Sequence, residues 1–166
     1  MKFYVKTNIF SIRGTMTFSD ESGQPLYYSK RKIFALTRIA TISTADNTNI
    51  LRIDQNLITW FSRKFKIRDM RTKQIVGRCA TKVFTLKTGS MKVDLGGQEF
   101  TVTGSFFAFQ FKIVDSNGET VVTANKKLLS WGDAYEIDVH KPEVVAPELI
   151  VALCTIFNHV RRGRRG

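Results

Sequence analysis

One short pattern recurs along the chain: a polar or basic stretch, two apolar residues, then a small or hydroxyl residue. The apolar pairs are Ile9-Phe10, Ile33-Phe34, Leu57-Ile58, Val83-Phe84, Phe106-Phe107 and Leu128-Leu129, and successive pairs begin 24, 24, 26, 23 and 22 residues apart. Even spacing of one unit marks a repeated supersecondary element. Between the pairs, apolar and polar residues swap at period two, most clearly in 109–113 (FQFKI) and 135–139 (YEIDV). The same alternation runs through 16–18, 39–42, 65–67 and 91–93. Period two places alternate side chains on opposite faces of a strand, one face apolar. Turn signals follow five of the six segments: Ser22-Gly23, Asp46-Asn47, Arg71-Thr72-Lys73, Gly96-Gly97 and Asn117-Gly118. Asn-Gly and Gly-Gly supply the positive φ of tight hairpins. Each unit therefore reads as two strands, and six units as about twelve antiparallel strands.

The C-terminal segment has a different period. Pro147 suits the first helical position, Glu148 the positive end of the helix dipole, and Leu149 to Phe157 is almost wholly apolar, predicting a helix over 147–160. A helix apolar on every side belongs inside something. About eight strands close a barrel that side chains alone fill, whereas a wider one needs a filler. Closure also removes exposed strand edges. The expected fold is thus mainly β: a closed antiparallel barrel of about twelve strands around a buried apolar C-terminal helix, one domain over 1–160, with 161–166 a basic, disordered tail. A β-sandwich with the helix laid across one face is the alternative.

The chain has 166 residues, enough for a single core without a metal or a disulfide, and its two cysteines form no disulfide framework. The opening Met1-Lys2-Phe3-Tyr4-Val5-Lys6 lacks the apolar run of a signal peptide, and no stretch reaches the roughly 18 apolar residues of a spanning helix. A cytoplasmic protein, with peripheral membrane contact open to it, is the expectation. There is no Walker loop, His-Glu-x-x-His or Gly-x-Ser-x-Gly. His140 and His159 pair by sequence with no plausible nucleophile. Cys154 sits among apolar helix residues, where a thiol stays protonated, and Cys79 reads as a strand residue. The expectation is a non-enzymatic protein without cofactor or metal. Asp115, Asn117 and Glu119 resemble half of a calcium loop but lack the distal bidentate Glu; a hairpin turn explains them more simply.

Charge offers more. Twenty-six Lys and Arg against 14 Asp and Glu leave a net charge of +12. It is clustered: Arg63, Lys64, Lys66, Arg68, Arg71 and Lys73 face only Asp69 within eleven residues. If Phe65 and Ile67 point into the core, Lys64, Lys66 and Arg68 line the outer face, about 7 Å apart. Such a row attracts phosphate, and Arg can grip it bidentately. The candidate anionic-ligand site is Lys64, Lys66, Arg68, Arg71 and Lys73. The competing reading is a solvated face that maintains solubility. Lys30, Arg31 and Lys32 make a smaller cluster, and Arg161, Arg162, Arg164 and Arg165 complement a helix C-terminus. Trp60-Phe61 and Phe106-Phe107 could stack bases, but neighbours on a strand face opposite ways, so one of each pair belongs to the core.

The opening Met1 to Lys6 with Ile9-Phe10-Ser11-Ile12-Arg13, and Leu129-Ser130-Trp131-Gly132-Asp133-Ala134-Tyr135-Glu136-Ile137-Asp138, resemble the LURP-one-related family over nearly the whole chain. That family belongs with the tubby C-terminal-like domains and the phospholipid scramblases, so the resemblance implies a twelve-stranded barrel around a central helix. Tubby proteins bind membrane phosphoinositides through basic surface residues. Scramblases carry a proline-rich N-terminal region and a palmitoylated cysteine cluster, and this chain has neither. Together these readings lead to a binding protein that engages an anionic partner, foremost phosphorylated or anionic lipid head groups, through a basic barrel surface. A nucleic-acid-binding or transcription-associated module is the first alternative, because a pI of about 10.0 suits any polyanion. A carrier or an enzyme of unassigned chemistry is the second.

Overall fold

The structure is a computed structural model and describes residues 1–7, 15–32, 37–56, 62–82, 89–105, 108, 110–129 and 132–162. Twelve strands run β1 (Lys2–Thr7), β2 (Met16–Ser19), β3 (Pro25–Arg31), β4 (Arg38–Thr44), β5 (Asn49–Gln55) and β6 (Ser62–Asp69). They continue as β7 (Ile75–Lys82), β8 (Gly89–Leu95), β9 (Gln98–Ser105), β10 (Gln110–Val114), β11 (Thr120–Leu129) and β12 (Gly132–Val139), followed by the helix α1 (Pro147–Arg162). Each strand pairs antiparallel with its sequence neighbours, and β1 pairs with β12, with Phe3 opposite Ile137, which closes the barrel. No sheet edge is left open.

Period-two alternation places the core. In β5, Leu51, Ile53 and Gln55 are buried between partly exposed neighbours, and in β12 Tyr135, Ile137 and Val139 are. On α1 every residue from Leu149 to Asn158 is buried. The helix is the barrel's filler, as its all-round apolar character predicts. Near its middle the Thr155 hydroxyl donates to the Val151 carbonyl at 2.8 Å, which satisfies a hydroxyl that has no water to meet. Phe157 meets Phe111 of β10 edge to face, with ring centroids 5.3 Å apart. Gly104 of β9 sits opposite Phe111 at φ +122°; a Cβ there would lie 2.4 Å from the Gln110 carbonyl oxygen, so only glycine fits.

All five expected turn signals occupy tight turns: 20–24, 45–48, 70–74, 96–97 and 115–119. The apolar pairs of the repeat at 9–10, 33–34, 57–58, 83–84 and 106–107 lie outside the described residues, as do Trp60, Phe61, Trp131 and the tail beyond 162. Leu128 and Leu129 belong to β11. One boundary differs from expectation: the helix continues to Arg162, because cations are favourable against the carbonyls of its last turn.

Candidate functional site

Phe65 and Ile67 are buried, so alternation turns Lys64, Lys66 and Arg68 outward on β6, as the sequence pattern predicts. Register adds what the sequence could not show. Lys66 lies directly opposite Arg78 of β7 on one side and Asp54 of β5 on the other; Arg78 lies opposite Asp94 of β8. Two cations directly opposed across a ladder repel each other. Asp54 does not relieve them, because its Oδ1 accepts from Arg52 Nε at 2.6 Å and its Oδ2 is 3.8 Å from Arg68 Nε. Lys64, Lys66 and Arg78 make no ion pair among the described residues.

A groove of about 340 Å3 opens at this place, lined by Lys64, Lys66, Arg78 and Lys92 together with Asp94 and Glu99. Its origin is a short ladder. β7 and β8 pair only from Gly77 opposite Leu95 to Cys79 opposite Val93, although β7 continues to Lys82 and β8 begins at Gly89. Ala80 and Lys92 flank the cleft where the strands part. Lys92 is tied to Glu99 at 2.7 Å, so the groove's cations outside an ion pair among the described residues are Lys64, Lys66 and Arg78, with the Asp94 carboxylate opposite Arg78. Arg78 and Lys92 were absent from the sequence-derived set, since they stand on other strands and only register brings them in.

The remaining candidates are dispersed. Arg68 follows a bulge and donates from Nη1 to the Lys73 carbonyl at 2.7 Å, which fixes its guanidinium to the turn. Arg71 and Lys73 sit in that 70–74 turn, at the end of the hairpin and off the groove. The 30–32 cluster does not adjoin them, because β4 and β5 stand between β3 and β6. Its members also diverge: Lys30 is exposed, whereas Arg31 has the inward parity of Ser29. Arg63 likewise shares the parity of Phe65.

Arg31 and Arg63 act on His159 from inside the barrel. Its pKa falls from 6.5 to about 4, chiefly because burial penalises the charged ring and then because of these two guanidinium groups. His159 Nε2 lies 3.1 Å from Gln55 Oε1, and its ring stands edge-on to Phe65. Burial pushes the Cys79 thiol up to about 12 and raises that of Cys154 as well, so neither is a thiolate at neutral pH. Asp115 Oδ1 accepts from the backbone N–H of Asn117 at 2.9 Å and of Glu119 at 3.0 Å, the bonding of a hairpin turn. Among the described residues no group of His, Cys, Asp and Glu could hold a metal ion. A larger depression of about 520 Å3 lies at the turn end beside Glu99 and Asp115, whose carboxylates oppose an anion.

The family model described as LURP-one-related matches residues 1–158. The chain is 24% identical over 157 residues to YxjI, an uncharacterised protein of Bacillus subtilis, covering 93% of this chain and 88% of the relative. It superposes on the X-ray structure of an Arabidopsis thaliana protein with a TM-score of 0.65 at 13% identity, covering 96% of this chain and 91% of the other. The structural likeness is one of fold. No helix among the described residues is long and apolar enough to cross a membrane.

Proposed function

The chain belongs to the LURP-one-related family, and from that premise we propose that it is a non-enzymatic protein that binds anionic or phosphorylated lipid head groups through the outer wall of β6 to β8. The observation that carries this reading is the opposed pair Lys66 and Arg78 beside the groove, neither of them in an ion pair among the described residues although Asp54 and Asp94 stand opposite them in register. Like charges held face to face destabilise a sheet. A phosphate between them would remove the repulsion and accept charge-assisted hydrogen bonds from both. Lys64 adds a third cation two residues along the same strand.

Co-sedimentation with phosphatidylserine-containing and with pure phosphatidylcholine vesicles tests the reading. The protein should pellet with the first and remain in solution with the second, and Lys66→Ser with Arg78→Ser should lower anionic binding by roughly tenfold or more. Equal pelleting with both vesicle types, or none with either, would end the proposal. Replacing Lys64, Lys66 and Arg68 with Ser should weaken binding more than deleting 163–166.

A further inference from the structure

The up-and-down topology sorts the charges of this chain by the end of the barrel at which they stand. The five tight turns and the start of α1 lie at one end; the opposite end receives the close of β1, β3, β5, β7, β9 and β11 and the last turn of α1. Lys6 stands in the half of β1 that leads to this second end, Lys30 and Arg31 close β3 with Lys32 just beyond, and Arg38 opens β4. Arg63 and Lys64 open β6, Lys82 closes β7, Lys126 and Lys127 stand in the last half of β11, and Arg161 and Arg162 complete α1. Among the described residues Asp54 and Asp133 stand at this end against twelve cations, of which Arg31 and Arg63 have inward parity and Lys30 donates to Asn47 Oδ1 at 3.3 Å, leaving nine for the rim. In the turn half of the described residues the balance reverses, with seven cations against twelve carboxylates, and Arg52, Lys92 and Lys112 stand at mid-strand between the two ends.

We infer that the barrel docks end-on, its basic rim against the plane of an anionic lipid bilayer and its carboxylate-bearing turns facing away. The inference rests on the lipid reading above and adds an orientation and a second set of contacts. Three features support it. The rim cations are distributed around the circumference: Lys6 on β1 and Lys126 on β11 lie across the barrel from Lys64 on β6. A ring of charge meets a plane all at once, whereas a rod such as duplex nucleic acid would meet only one side of it. Opposite net charges at the two ends give the barrel a long-axis dipole, which a negatively charged surface aligns before contact. Finally, Lys64 belongs to both the rim and the groove, so a rim-down barrel brings the groove mouth toward the head groups.

The test separates this inference from the function it rests on. The probe is a vesicle of phosphatidylcholine containing phosphatidylserine. Replacing Lys6, Lys32 and Lys126 with Ser removes rim cations on the far side from the groove, and vesicle partition should fall by about a hundredfold, since each cation near such a surface contributes close to fivefold. Orientation is read directly with single labels at Lys32→Cys on the rim or Ser22→Cys in the first turn, both exposed positions. Cys79 and Cys154 are buried and leave the introduced thiol as the reactive one. A fluorophore at 32 should be quenched by lipid-borne quencher and one at 22 should not. Each labelled chain differs from the wild type at one position, Lys32→Cys being expected to bind about fivefold more weakly, and this keeps the test valid if the triple variant folds poorly. If the vesicles bind, and the Lys66 and Arg78 variant loses binding while the rim variant keeps it, the wall site stands and the end-on inference falls. Equal quenching at 22 and 32 also overturns it. Duplex DNA that displaces the protein from vesicles, with the rim variant losing DNA affinity, would overturn the lipid plane as partner. No vesicle binding at all would remove the parent reading as well.

Discussion

The two ends of the barrel carry opposite charge for different reasons. At the turn end, each of the five hairpins uses an aspartate to fold: Asp20 Oδ1 accepts from the Ser22 N–H at 2.9 Å, Asp46 from Thr48 at 3.1 Å and Asp69 from Thr72 at 2.7 Å. Asp94 accepts from Gly97 at 3.1 Å and Asp115 from Asn117 at 2.9 Å. A short carboxylate that bonds its own backbone two or three residues on is a turn former. At the opposite end Lys30 donates to Asn47 Oδ1 at 3.3 Å, whereas among the described residues Lys6, Lys32 and Lys64 make no side-chain bond of this kind, and strand propensity disfavours lysine. Charge that the fold consumes says little about partners. Charge that the fold does not need is where a partner is sought.

Breaking the rod that joins the ends should cost most. Phe157→Ala, which empties a site fully packed against Phe111, should lower unfolding free energy by about 3–5 kcal/mol in urea titration. The next effect separates the ends by pH. His159, near the basic end, titrates at about 4 in the fold against 6.5 when unfolded, so the unfolded chain binds the extra proton between these values. Stability is fully present above pH 6.5 and falls as pH drops toward 4, by up to about 3 kcal/mol. His159→Gln should flatten that slope. The turn-end aspartates behave otherwise. Hydrogen bonds from Ser22, Thr44 and Thr72 hold Asp20, Asp46 and Asp69 below the ordinary 3.8, so their contribution is present above that value and is lost only as pH falls below it. A urea midpoint that is flat from pH 7 to 4.5 in the wild type would contradict the assignment.

Two smaller substitutions sharpen the contrast. Asp115→Ala should cost about 1 kcal/mol of stability through its lost turn bonds and leave vesicle partition within about twofold, the distance of this turn from the rim being the reason. Lys32→Ser should do the reverse: stability unchanged within about 0.5 kcal/mol, partition lowered about fivefold. Should the lysine destabilise and the aspartate release the vesicle, the division between structural and functional ends would be reversed.

Much of the architecture was readable from residue order. Period-two alternation located the even-numbered strands, Ser22-Gly23, Gly96-Gly97 and Asn117-Gly118 located turns, and the apolar run after Pro147 located the helix and its place inside. These signals are local, each set by backbone torsions or by the need to bury a face. The site was less legible. The sequence identified Lys64 and Lys66 as outward cations but grouped them with Arg68, Arg71 and Lys73 because they are near in the chain, whereas Arg68 is bound to the Lys73 carbonyl and the other two lie in a turn. It likewise grouped Arg31 with Lys30 and Lys32, although parity turns Arg31 inward toward His159.

What the chain by itself determined is the list of elements, their faces and the total charge of +12. What tertiary structure alone decided is which charges meet. Lys66 faces Arg78 because β6 and β7 register them as partners, and the cleft beside them exists because the ladder to β8 ends at Cys79. The two ends became distinct only on closure. Antiparallel winding reverses direction at every strand, so residues far apart in sequence are collected at one rim, and their Coulomb fields add only once that rim is formed.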